Sequence, residues 1–180
     1  MAFLTEQSLR GFRSSLTVRL FEGRFDNIVT EARAADLTIF LSHSHDDRPL
    51  VEGFIALLDG LGIKLYVDWN DNDMPRVTSR ETADKIKGQI QGNKLFMILA
   101  TQAALTSKWV PWEIGVADKS KGENQVLIIP VADSEASFKG SEYLRLYRRV
   151  IISDEGLSAV FEPGKTKGQV LESYMQVFGR

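Results

Sequence analysis

The chain has 180 residues, with 22 Lys and Arg against 24 Asp and Glu, a formal charge of -2 and no cysteine. That length suits one domain with an appendage and a sizeable core. The balanced charge, with no dense basic stripe, argues against nucleic acid as a partner, and the lack of cysteine excludes disulfides, thiolate nucleophiles and thiolate metal sites. No apolar run reaches the roughly 18 residues of a bilayer span and the first residues lack a signal peptide's apolar block, so no membrane partner and a cytoplasmic location are expected.

Residues 1–35 precede the first strong strand signal. Arg10, Arg13, Arg19, Arg24 and Arg33 alternate with Leu9, Phe12, Leu16, Leu20 and Phe25, a spacing that predicts one or two amphipathic helices packed on the domain. Glu6, Glu22, Asp26 and Glu31 argue against a mitochondrial presequence, which avoids acids. Residues 36–180 then form the domain proper.

From Asp36 the chain alternates short apolar runs with helical patterns. The runs are LTIFLS (37–42), IKLYVD (63–68), KLFMILA (94–100), QVLIIPV (125–131) and RRVIIS (148–153). Most are apolar nearly throughout, as strands covered on both faces must be. Between the first two, an Asp cap, Pro49 in a first turn, Leu50, Phe54, Leu57, Leu58 and Leu61 on one face, and Gly60 and Gly62 as a stop predict a helix. The alternation continues to the end, predicting an α/β fold: a five-stranded parallel sheet with helices on both faces. In the flavodoxin-like order 2-1-3-4-5 the ligand crevice lies at the carboxyl ends of strands 1 and 3.

Strand 1 runs into SHSHDD (42–47), and the helix after strand 3 begins near WVPWEIG (109–115). Pro111 is tolerated only near a helix start, which places Glu113 in the first turn, close to the positive end of the helix dipole. The simplest role for such an acid is a helix cap. Trp109, four residues earlier, is expected to share a face with Glu113 and to form an aromatic wall, while Trp112 points elsewhere into core.

TIFLSHSHDD, GIKLYVDW, RVTSRETA and TSKWVPWEIG, in this order and spacing, resemble a TIR domain (Toll/interleukin-1 receptor homology), especially bacterial TIR proteins of the Thoeris anti-phage type. The similarity covers about Asp36 to Ile152, and FKGSEYLRLY (138–147) is also similar to that group. The resemblance implies a glutamate-dependent enzyme that breaks the nicotinamide–ribose bond of NAD+, as substrate and with no cofactor, and makes a cyclised or conjugated ADP-ribose signal for a separate effector. It places Glu113 at the catalytic position and Trp109 at the aromatic position before it. Ser42, His43 and Ser44 fall in the loop bordering the nucleotide, and Asp68 and Trp69 open the segment that gates the site and joins subunits of a homo-oligomer.

One carboxylate suffices for such chemistry. Ordinary glycosides need an acid to protonate a poor alkoxide leaving group, whereas nicotinamide departs neutral from a cationic ring. An anion beside the ribose then stabilises the developing positive charge. WEIGVADK departs from the family's frequent WELGYFDG at Val116 and Ala117, which puts the product in question, and DWNDNDMPRVT is shorter than usual.

Other sites are weaker. Asp68, Asn70 and Asn72 begin a calcium-loop pattern that fails at Asp73 and Ser79. His43, His45, Asp46 and Asp47 lack a convincing metal-ligand set, and capping is the expected role of the aspartates. A receiver domain would need an acid at the end of strand 3, where the chain reads LATQ. The alternatives to the enzyme are a non-catalytic TIR scaffold acting by homotypic assembly and a deoxyribosyltransferase-like enzyme.

Overall fold

The computed structural model describes residues 1–20, 37–63, 79–133 and 137–179. In chain order the strands are β1 (Leu4–Thr5), β2 (Ile39–Ser42), β3 (Leu95–Ala100), β4 (Val126–Ala132), β5 (Arg148–Ile152), β6 (Ser158–Phe161) and β7 (Gly168–Val170). The helices are α1 (Glu6–Leu20), α2 (Arg48–Gly60), α3 (Arg80–Gly92), α4 (Gln102–Thr106), α5 (Val110–Ser120) and α6 (Leu171–Gln176). Among the described residues no helix is long and apolar enough to cross a membrane.

β2, β3, β4 and β5 lie side by side and parallel, in register from Ile39↔Leu95 and Phe96↔Val126 to Leu127↔Arg148. These are the predicted strands 1, 3, 4 and 5. The predicted second strand, 63–68, lies outside the described residues except for Ile63, and with it the position of that strand in the order.

Strand pleating decides the layers, because successive side chains point to opposite faces. Leu95, Met97 and Leu99 of β3 join Leu9, Leu50, Phe54 and Leu58 from α1 and α2 in one core. Phe96, Ile98 and Ala100 join Ile86, Ile90, Val110, Ile114 and Ala117 from α3 and α5 in the other. All of β3 and β4 is buried, as their unbroken apolar runs require. The registered pair Phe40 and Phe96 stacks with centroids 5.6 Å apart.

The N-terminal lead-in is built into this core. β1 pairs in parallel with Val131 and Ala132 of β4, and Ala2 bridges Ile152 at the end of β5. Pro130 sits where β4 changes from β5 to β1 as neighbour, a break in the ladder that suits a residue with no amide proton. Leu9 on α1 is fully buried, and a Cβ added to Gly53 of α2 would lie 1.9 Å from the Leu9 carbonyl oxygen. α1 thus rests on a backbone surface that only glycine leaves free.

The parallel alternation does not continue to the end of the chain. β6 runs antiparallel to β5 and β7 antiparallel to β6. The connections are too short for a crossover helix, and each turns through a glycine with positive φ, Gly156 at 79° and Gly164 at 72°.

Candidate active site

The two strand ends that form the expected crevice are tied by two buried hydroxyl–carboxylate pairs. Ser42, the last residue of β2, donates from Oγ to Glu113 Oε2 at 2.5 Å. Thr101, just past β3, donates from Oγ1 to Asp47 Oδ2 at 2.5 Å. Each acid therefore lies on the segment following one strand and is held by the end of the other.

Glu113 occupies the first turn of α5, which begins with Val110 and has Pro111 in that turn as predicted. It does not cap the helix. Trp109 is the N-cap residue, and the Ser107 hydroxyl accepts from Trp109 N at 3.2 Å and from Val110 N at 3.5 Å. The Glu113 amide donates to Trp109 O at 2.9 Å, leaving the carboxylate to reach across to β2. Glu113 is 8% exposed and Ser42 1%. Burial pushes the Glu113 carboxyl above its ordinary value, and the Ser42 hydrogen bond pulls the other way. The acid thus sits at the junction of the carboxyl ends of β2 and β3, largely screened from water.

Trp112 packs against core, as expected. Trp109 and Trp112 pack edge to face, with centroids 5.4 Å apart and planes at 77°. At about 100° of helical rotation per residue, Trp109 lies angularly between Trp112 and Glu113, so sharing a side with Glu113 does not separate it from Trp112. Both rings are partly buried against the α3/α5 core, and the Lys87 ammonium lies 5.9 Å from the Trp112 ring centroid. Ala117 is fully buried in that core.

The loop after β2 is equally ordered. His43 donates from Nδ1 to Leu41 O at 2.8 Å, and burial holds its imidazole below the ordinary value, favouring the neutral ring. Ser44 accepts from Asp46 N at 3.4 Å and caps the short 3-10 turn His45–Asp47. The capping role expected for the aspartates is corrected at Asp47. It stands at the N-cap position of α2, but its side chain makes no cap hydrogen bond and goes to Thr101 instead. Burial pushes the Asp47 carboxyl up, opposed by that bond. Thr101 also accepts from Ala104 N at 3.0 Å, capping α4. Sequence reading missed Thr101, although a Thr directly after a buried strand and before a short helix is a capping signal.

Ser42, His43, Ser44, Trp109 and Glu113 therefore gather around the carboxyl ends of β2 and β3. Asp68 and Trp69 lie outside the described residues, as does the failed calcium-loop pattern apart from Ser79. Among the described residues no group of three or more His, Asp or Glu is placed to hold a metal ion.

A family model described as TIR domain matches residues 39–157. A Bacillus cereus (strain MSX-D12) protein named "Probable 3' cyclic ADP-D-ribose synthase ThsB'" is 38% identical over 113 residues, covering 61% of this chain and 58% of that protein. A Cytobacillus dafuensis protein, TIR2, named as a candidate cyclic ADP-D-ribose synthase, is 28% identical over 116 residues, covering 56% of this chain and 31% of its own length. The matched region thus spans less than two thirds of either relative.

Proposed function

The chain belongs to the TIR-domain family, and from that premise we propose that it cleaves the nicotinamide–ribose bond of NAD+ and forms a cyclised or conjugated ADP-ribose signal in bacterial anti-phage defence. The reading is carried by one observation: a carboxylate on the first turn of α5, nearly removed from water and held by Ser42, at the carboxyl ends of β2 and β3. The names of the two relatives, both cyclic ADP-D-ribose synthases, support the same chemistry.

In this mechanism the bond between the ribose C1′ and the pyridinium nitrogen breaks, and its electron pair neutralises the departing nicotinamide. The sugar is left as an oxocarbenium-like cation. The Glu113 carboxylate, largely withdrawn from water and fixed by Ser42, stabilises that cation and hydrogen-bonds the ribose hydroxyls. A hydroxyl or ring nitrogen of the same molecule, or of an acceptor, then attacks C1′. Any proton it releases passes to Glu113, whose raised pKa improves it as a base near neutrality. Trp109, braced by Trp112, supplies an apolar side wall that limits hydrolysis by water. His43 and Ser44 border the nucleotide, and Asp68 and Trp69 belong to the gating segment. Assembly through TIR–TIR contacts and a downstream effector that reads the product complete the proposal.

The experiment is direct. Purified protein, alone and under enforced assembly, is incubated with NAD+, and nicotinamide and the ADP-ribose products are followed by mass spectrometry beside Glu113→Gln. Release abolished in the variant supports the reading. Equal release by the variant overturns the role of Glu113, and no release in any assembled form favours a scaffold.

A further inference from the structure

A cavity lies away from Glu113. It occupies about 580 Å³ over β4 and β5, beneath the segment 138–147 that the sequence singled out and the proposed chemistry leaves unused. Ile128, Pro130 and Ile151 form its floor. Phe138 forms one wall and is fixed on two sides. Its ring packs at 5.5 Å from Phe3, and it lies so close over Gly140 that an added Cβ there would come within 2.4 Å of it. The size falls within the range of small-ligand pockets, which combine apolar walls with a few placed polar groups.

The charged groups point to the ligand. Lys139, Arg145 and Arg149 line the cavity and, among the described residues, no carboxylate does. Elsewhere Arg10, Arg13, Arg48, Arg80 and Arg148 pair with carboxylates. Arg149 is satisfied by the Lys165 carbonyl and the Phe161 ring, whereas Arg145 and Lys139 make no hydrogen bond or ion pair with any described residue. A guanidinium and an ammonium beside an immobilised aromatic ring match an anion attached to a planar ring, with paired donors for the phosphate and a π-face for the ring.

We propose that this cavity binds a ring-bearing phosphate of nucleoside monophosphate size, at a site separate from Glu113. Tyr147, a further lining residue, donates to Asp118 Oδ1 at 2.9 Å on the helix that carries Glu113, so one hydrogen bond links the cavity lining to α5. The proposal does not depend on NAD+ cleavage.

Adenosine monophosphate is titrated calorimetrically into the full chain carrying Glu113→Gln, which removes turnover, and into the same chain with Lys139→Ala and Arg145→Ala added. The expected result is saturable binding that weakens at least tenfold in the Lys139/Arg145 variant and also in Phe138→Ala, with inorganic phosphate binding at least tenfold more weakly than the nucleotide. The cationic side chains are exposed, so their removal leaves the fold intact, which circular dichroism checks. No binding at millimolar nucleotide, or affinity unchanged on removing Lys139 and Arg145, overturns the proposal. Failure of NAD+ cleavage in the parent chain leaves it standing, since binding is measured without turnover.

Discussion

Ser42 and Glu113, 71 residues apart in sequence, meet at 2.5 Å where β2 ends and α5 begins. Thr101 and Asp47, 54 residues apart, make the crossing bond at the same sheet edge. Neither pair is local, and each fixes an acid whose environment raises its pKa.

Glu113→Gln keeps the size and can still accept from Ser42 but removes the anion. Nicotinamide release is expected to fall by about 10²–10³-fold, the range for losing one preorganised electrostatic group. Initial rates at saturating NAD+ check this, with the native fold confirmed by circular dichroism.

Ser42→Ala removes the donor that favours ionised Glu113, leaving burial unopposed. The Glu113 pKa then rises further, so the acidic limb of the pH–rate profile moves to higher pH. On that limb the rate at a given pH falls by up to about tenfold, as loss of a hydrogen bond to a charged group predicts. A Ser42→Thr variant restores the profile, and a limb that stays in place refutes the coupling.

The same burial sets a pH dependence of stability. A carboxyl whose folded pKa is raised binds more protons in the native than in the unfolded state, so stability falls as pH rises from the ordinary carboxylate value through the raised one. Glu113→Gln removes that contribution. The variant is expected to melt higher than the parent at pH 7.5 and near it at pH 4, with Asp47 contributing the same sign to both proteins. Thermal unfolding across this range measures the difference.

Thr101→Ala leaves the Asp47 carboxyl buried without its side-chain donor and uncaps α4. The cost is about 1–3 kcal/mol for the unsatisfied group. Urea unfolding reads it as a lowered midpoint, larger than that of Thr106→Ala at an exposed position on the same helix.

Gly53→Ala places a Cβ 1.9 Å from the Leu9 carbonyl oxygen, and backbone cannot swing aside as a side chain can. α1 must shift, at about 1–3 kcal/mol. Gly88→Ala, where nothing lies within 4 Å, is the control and is neutral or slightly stabilising. Equal midpoints for the two variants would contradict the close packing of α1 on α2.

The sequence by itself determined the parts that depend on local pattern. Unbroken apolar runs marked β3 and β4, Pro111 placed Glu113 in a first helical turn, and ordered motifs identified the TIR family. Short range explains these successes, since strand burial and helix starts are written within about ten residues. It also explains where sequence reading stopped. Whether Glu113 capped its own helix or reached another strand depended on Ser42, far along the chain. Asp47 looked like a cap until Thr101 was beside it, and the antiparallel β6 and β7 required turns at Gly156 and Gly164 that parallel alternation did not foresee. Only tertiary structure brings such partners together, because burial removes water as a competing partner and leaves each hydroxyl and carboxylate to be satisfied by whatever the packed chain places within reach.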